Sequence, residues 1–108
     1  MNSLDELKER IRKFNSDRDW AQFHTPENLA KSINIEAGEL LECFQWSSDN
    51  YNLEDVKDEM ADVFVYLLDL ADKLNVDLVD ITNKKMDKNE TKYPIDKAKG
   101  NAKKYTEF

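Results

Sequence analysis

The sequence predicts an all-α fold: a four-helix-bundle-like single domain spanning residues 1–108. Three observations predict it. Apolar residues recur at three- and four-residue spacing over long stretches, glycine occurs only at Gly38 and Gly100, and no alternating β-branched run reads as a strand. A chain of 108 residues can bury one modest core, which self-association would enlarge.

Each helix carries its own start signal. Ser3 and Glu6 form a capping box, and Leu4, Leu7, Ile11 and Phe14 follow on one face, so a first helix runs from about 4 to 17. Asp19 to Thr25 is a connector holding Trp20, Phe23 and the single histidine, His24, which reads as a loop hydrogen-bonder. Thr25 caps and Pro26 opens a second helix that persists to about Trp46. Gly38 inside it costs about 1 kcal/mol against alanine, which points to another helix or a ligand approaching the backbone there. After the polar loop Ser47 to Asn52, Asn52 caps a third helix over about 53–75, and Asp77 caps a fourth over about 78–90 that stops ahead of Tyr93-Pro94. The lysine-rich tail from about 95 to 108 either docks on a neighbour or stays loose.

Chemistry concentrates in two acid pairs, Glu36 with Glu39 and Glu59 with Asp62, each one helical turn apart on consecutive helices. Acids at this spacing recur along the chain, so spacing alone says little. Phase says more: Ile33, Ala37, Leu40, Leu41 and Phe44 form one stripe with Glu36 at its border, and Met60, Phe64, Leu67, Ala71 and Leu74 form another, with Glu59 at its edge and Asp62 and Tyr66 beside it. Four carboxylates converging at ~5 Å in an effective dielectric near 20 repel by roughly 3 kcal/mol per pair. Protons or hard cations must relieve that, and all-oxygen ligation selects Mg²⁺, Mn²⁺ or Ca²⁺ over zinc.

Composition narrows the partners. A net charge of −7 disfavours nucleic acid, whose phosphates reward a basic face. One cysteine, Cys43, excludes an intramolecular disulfide and suits a reducing cytoplasm. The segment from Met1 to Glu6 does not read as a signal peptide, and no apolar run approaches ~18 residues, so no membrane partner is expected.

At this point the residues resemble a known family. Ile35-Glu36-Ala37-Gly38-Glu39-Leu40-Leu41-Glu42 followed by Glu59-Met60-Ala61-Asp62-Val63 is similar to the signature of the MazG-like all-α nucleoside triphosphate pyrophosphohydrolases. Arg18-Asp19-Trp20-x-x-Phe23-His24, Phe44-Gln45-Trp46, Lys85-Met86-Asp87-x-Asn89-x-x-x-Tyr93-Pro94 and Lys104-Tyr105-Thr106-Glu107 resemble its dCTP pyrophosphatase branch. The resemblance implies Mg²⁺-dependent cleavage between the α and β phosphates, with Mn²⁺ as a substitute. It implies metal binding by Glu36, Glu39, Glu59 and Asp62, with Glu36 or Glu39 taking the proton of the attacking water. It further implies phosphate contacts for Lys85, Asn89 and Tyr93, base enclosure by Trp20 and Trp46, and a homo-oligomer, a dimer or dimer of dimers. Tyr66, on the face of Glu59 and Asp62, either orders the site or fills the core edge.

Two departures stand out: animal relatives carry histidine where this chain has Ile11, and a longer connector where it has Ser47 to Asn52. The same acids would also serve a dUTP or broad-specificity hydrolase. A non-enzymatic acidic helical module is the rival from another class. A di-iron carboxylate bundle would need Glu-x-x-His pairs, which a chain with one histidine lacks.

Overall fold

Why helices form where they do is visible at their first turns. In the computed structural model, which describes residues 3–108, Ser3 Oγ accepts from the Glu6 N–H at 2.9 Å, Thr25 Oγ1 from Asn28 at 3.2 Å, Asn52 Oδ1 from Asp55 at 3.2 Å and Asp77 Oδ1 from Asp80 at 2.9 Å. Each cap satisfies a backbone donor that the helix cannot. Met1 and Asn2, part of the amino-terminal segment read above for a signal peptide, lie outside the described residues. The capped helices are α1 (Leu4–Asp17), α2 (Pro26–Glu42), α3 (Leu53–Lys73) and α4 (Leu78–Lys92), followed by a short α5 (Ile95–Ala98). Single 3₁₀ turns occupy Ala21–Phe23 and Tyr105–Glu107, and no strand occurs among the described residues. None of the described helices is long and apolar enough to cross a membrane.

The chain divides into two compact units, one ending at Val76 and one beginning at Asp77. In the first, α3 packs along α2 and against α1. Ile11, Leu29, Val56, Leu68 and Ala71 are its buried apolar residues, and Leu29 is the most enclosed. Polar bonds orient α1 on α3: Arg12 Nη2 and Nε donate to Asp72 Oδ1 at 2.7 and 3.1 Å, and Asn15 Nδ2 donates to the buried Asp69 at 3.0 Å. The Arg12 bond holds the Asp72 carboxyl below its ordinary pKa, whereas burial pushes Asp69 up against the opposing pull of Asn15. Asp19 takes a left-handed φ of 52°, and the chain doubles back so that Trp20 meets Phe14 edge-on at 5.5 Å. Lys73 Nζ to Ala21 O at 3.2 Å and Asn28 Nδ2 to Phe23 O at 3.0 Å pin the connector. In the second unit the tail is folded, with Tyr93 meeting Tyr105 at 6.0 Å and Phe108 at 5.8 Å.

Four expectations change. Helix α2 ends at Glu42, short of Trp46, because Cys43, Phe44 and Gln45 bond back three residues and Ser47 Oγ captures the Asp49 and Asn50 N–H groups, turning the chain away. The stripe predicted for α3 is only partly in the core: Met60, Phe64 and Leu74 are exposed and Leu67 is half-buried, whereas Ala71 is buried together with Val56, Leu68 and Asp69, which lie outside the stripe. That helix is apolar over a wide arc, so periodicity alone does not choose which part meets its neighbours. Nothing lies within 4 Å of where a Gly38 Cβ would stand, so no close approach within the chain explains that glycine. Finally, α4 reaches Lys92, one residue short of the Tyr93-Pro94 stop.

Candidate active site

Helical spacing and packing together bring the acids into one place. Glu36 on α2 and Glu59 and Asp62 on α3 each present a carboxylate oxygen within 4.8 Å of the others. Glu36 and Glu59 are half-buried, and Oε2 of each is shut off from solvent with no hydrogen-bond partner. An unpaired buried carboxylate oxygen is costly, so the arrangement asks for a proton or a cation. Burial and then the neighbouring Glu39, with Asp62 and Glu59 beyond it, push the Glu36 carboxyl up to about 7; burial and Glu39 also raise Glu59. The exposed Glu39 therefore stands beside both, which brings all four predicted acids to one locus.

The donors are all carboxylate oxygens, the ligand type of hard divalent cations, and two of them are orphaned. The residues thus fit such an ion by donor chemistry and by unmet bonding demand.

Asp62 has a second environment. Together with Tyr66 and Val65 it forms the α3 wall of a cleft of about 380 Å³, within the range of small-molecule sites. Leu7, Arg10, Ile11 and Phe14 of α1 form the facing wall, and Trp20 closes it. Apart from Asp62 and Arg10 the cleft lining is apolar and aromatic. Half-buried Tyr66 stands where the two regions meet; burial and the charges of Glu36, Asp69 and Asp62 raise its hydroxyl pKa, so it stays protonated as a donor. His24 meets the Tyr66 ring edge-on at 6.5 Å, so its contact is aromatic rather than the loop hydrogen bond expected.

The structure accordingly joins Glu36, Glu39, Glu59, Asp62, Tyr66 and Trp20 in one continuous region. Trp46 is left out of this cleft and is 89% exposed. Lys85 and Asn89 lie on α4, with Tyr93 as its carboxy-terminal cap, in the second unit. Sequence reasoning missed Arg10, Phe14 and Val65. The spacing of Phe14 predicts a core residue, and only Trp20 folding back onto α1 turns that face into a wall.

Known proteins resemble this chain over most of its length. The chain is 37% identical to mouse dCTP pyrophosphatase 1 over 115 aligned residues, covering 98% of this chain and 68% of the mouse protein. It is 36% identical to the human protein of the same name, with the same coverage. A crystal structure of a pyrophosphatase from Archaeoglobus fulgidus superposes with a TM-score of 0.81 at 43% identity, covering 87% of this chain and 94% of that one. The MazG-like family model matches residues 31–108, which include all four clustered acids. With an all-α frame, paired acids on consecutive helices and these relatives in agreement, the chain belongs to the MazG-like family.

Proposed function

We propose that the chain hydrolyses a deoxynucleoside triphosphate, dCTP or a 5-modified dCTP, to the nucleoside monophosphate and pyrophosphate, clearing nucleotide pools in the cytoplasm. One observation carries this reading: the carboxylate cluster and the aromatic cleft share Asp62, and Tyr66 of the cleft lies within the field of Glu36 and Asp62. A single ligand with an anionic chain at one end and a flat ring at the other fills both. The names of the mouse and human relatives support dCTP as that ligand.

Glu36, Glu39, Glu59 and Asp62 would hold Mg²⁺, or Mn²⁺ in its place. Such an ion, when bound, screens the triphosphate, stabilises charge on the leaving pyrophosphate and acidifies the attacking water. Glu36 or Glu39 accepts that water's proton as oxygen attacks the α phosphorus; the bridging bond to the β phosphate breaks and pyrophosphate carries away the electron pair. The Tyr66 hydroxyl donates a hydrogen bond at the junction. Trp20 stacks on the base. The family motif assigns Lys85, Asn89 and Tyr93 to the phosphates and Trp46 to the base. The family match runs through both compact units, which supports reading the chain as one functional domain. Exposed Ile35, Leu41, Met60 and Phe64 support a homo-oligomer, a dimer or dimer of dimers, in which such faces would be covered.

The test is product identity. Incubation of dCTP with Mg²⁺ is expected to yield dCMP and pyrophosphate; dCDP with inorganic phosphate would overturn the assigned bond cleavage.

A further inference from the structure

Arg10 is the one cationic side chain lining the cleft, and it has no ion-pair or hydrogen-bond partner among the described residues. The other arginines of α1 and its cap are engaged. Arg12 binds Asp72 and Glu9, and Arg18 donates to the Phe14 carbonyl at 3.1 Å with its guanidinium 3.8 Å over the Phe14 ring. An uncommitted guanidinium in an otherwise apolar wall is a rigid fork of donors awaiting paired acceptors.

Placement decides which part of a nucleotide supplies them. The acids gather at Asp62, which is where the triphosphate belongs. Arg10 lies one helical turn before Phe14, whose ring contacts Trp20, so the fork stands with the aromatic wall where the base would lie. Cytosine offers two adjacent acceptors on its pairing edge, N3 and O2. Uracil and thymine place an N3–H donor between their two carbonyls, and a fork of donors meets a donor there. Stacking on Trp20 tolerates any base, so discrimination among pyrimidines must come from such an edge contact.

We propose that Arg10 reads the N3 and O2 acceptors of cytosine and thereby sets the preference for cytosine over uracil and thymine. The proposal rests on the nucleotide reading of the site and names the residue that chooses its base. Arg10 is exposed, so its replacement leaves the core intact.

The experiment measures kcat/KM for dCTP, dUTP and 3-deaza-dCTP, which lacks the N3 acceptor, on wild type, Arg10→Gln and Arg10→Lys. In parallel, metal-free titrations of dCMP and dUMP are followed by tryptophan fluorescence. Arg10→Gln should lower kcat/KM for dCTP by about tenfold or more while leaving dUTP nearly unchanged. 3-Deaza-dCTP on wild type should behave as dCTP does on the variant. Arg10→Lys keeps the charge but not the fork, and should lose the preference as Gln does. Equal loss for dCTP and dUTP, or full preference in Arg10→Lys, would overturn the proposal. If wild type releases pyrophosphate from no nucleotide, the enzymatic reading fails separately. The dCMP-to-dUMP affinity ratio then decides: a preference abolished in Arg10→Gln upholds the assignment, and equal affinities in wild type overturn it.

Discussion

Glu36 and Glu59 each keep one carboxylate oxygen away from water with nothing to bond it, and the demand of those two atoms organises the residue-scale expectations. Glu39→Gln, Glu59→Gln and Asp62→Asn should each lower pyrophosphate release by about a hundredfold or more, on the order of 3 kcal/mol of transition-state stabilisation. Circular dichroism should show the fold retained, because without metal these groups repel. Glu36 makes the same point through pH. Its carboxyl is pushed up to about 7 from a usual 4.5, so in that window the folded chain keeps a proton that the unfolded chain releases. Stability of the metal-free protein should therefore fall as pH rises from 4.5 through about 7. Asp72 has the opposite sign: its lowered pKa gives stability that is lost only on acidification below the ordinary aspartate range, outside the Glu36 window. Thermal melts in chelator at pH 5.5 and 8 should show the higher pH less stable, with the difference reduced by Glu36→Gln and by added Mg²⁺. Equal melting temperatures at the two pH values would contradict this.

At the scale of the elements, α2 and α3 are long helices whose starts depend on side-chain caps. Asn52→Ala removes the acceptor for the Asp55 N–H and should lower stability by about 1 kcal/mol, read from urea unfolding. Gly38→Ala should act in the other direction by about 0.5–1 kcal/mol, since a Cβ there meets open space and alanine is the better helix former. A destabilised variant would mean that something outside the single chain approaches that backbone. The Asp19 turn matters differently, because it returns Trp20 to α1 and so builds the cleft. Trp20→Ala should raise KM for dCTP about tenfold, with kcat falling less than in Asp62→Asn, since an indole stacked on the base would not act on the reacting phosphates. An unchanged KM would remove Trp20 from base binding.

For the whole molecule, the surface left over by folding is the informative quantity. Among the described residues few apolar side chains are fully buried, while Ile35, Leu41, Met60, Phe64 and Ile95 remain exposed. A small core beside so much uncovered apolar surface is expected to be completed by other copies of the chain. Light scattering at micromolar concentration should report a dimer or tetramer, and substituting charge at Leu41 should shift it toward smaller species. A stable, active monomer would refute the assembly.

Local chemistry was enough to read much of this protein. The caps at Ser3, Thr25, Asn52 and Asp77 and the Pro94 stop act within a turn of helix, so all-α organisation and the starts of α1 to α4 follow from neighbouring residues alone. The four acids were legible for the same reason, with helical spacing placing each pair on one face and the MazG-like pattern joining the pairs. What the sequence left open depends on which surfaces meet. A helix as apolar as α3 has several arcs that could be buried, and only its packing against α1 and α2 buries Val56 and Leu68 beside the expected Ala71 and leaves Met60, Phe64 and Leu74 exposed. Arg10 is one cation among sixteen until α1, α3 and the returning Trp20 place it in a cleft beside Asp62. Helical period determines which residues share a face; the residues that stand across from that face are decided by long-range packing, and the aromatic cleft is made there.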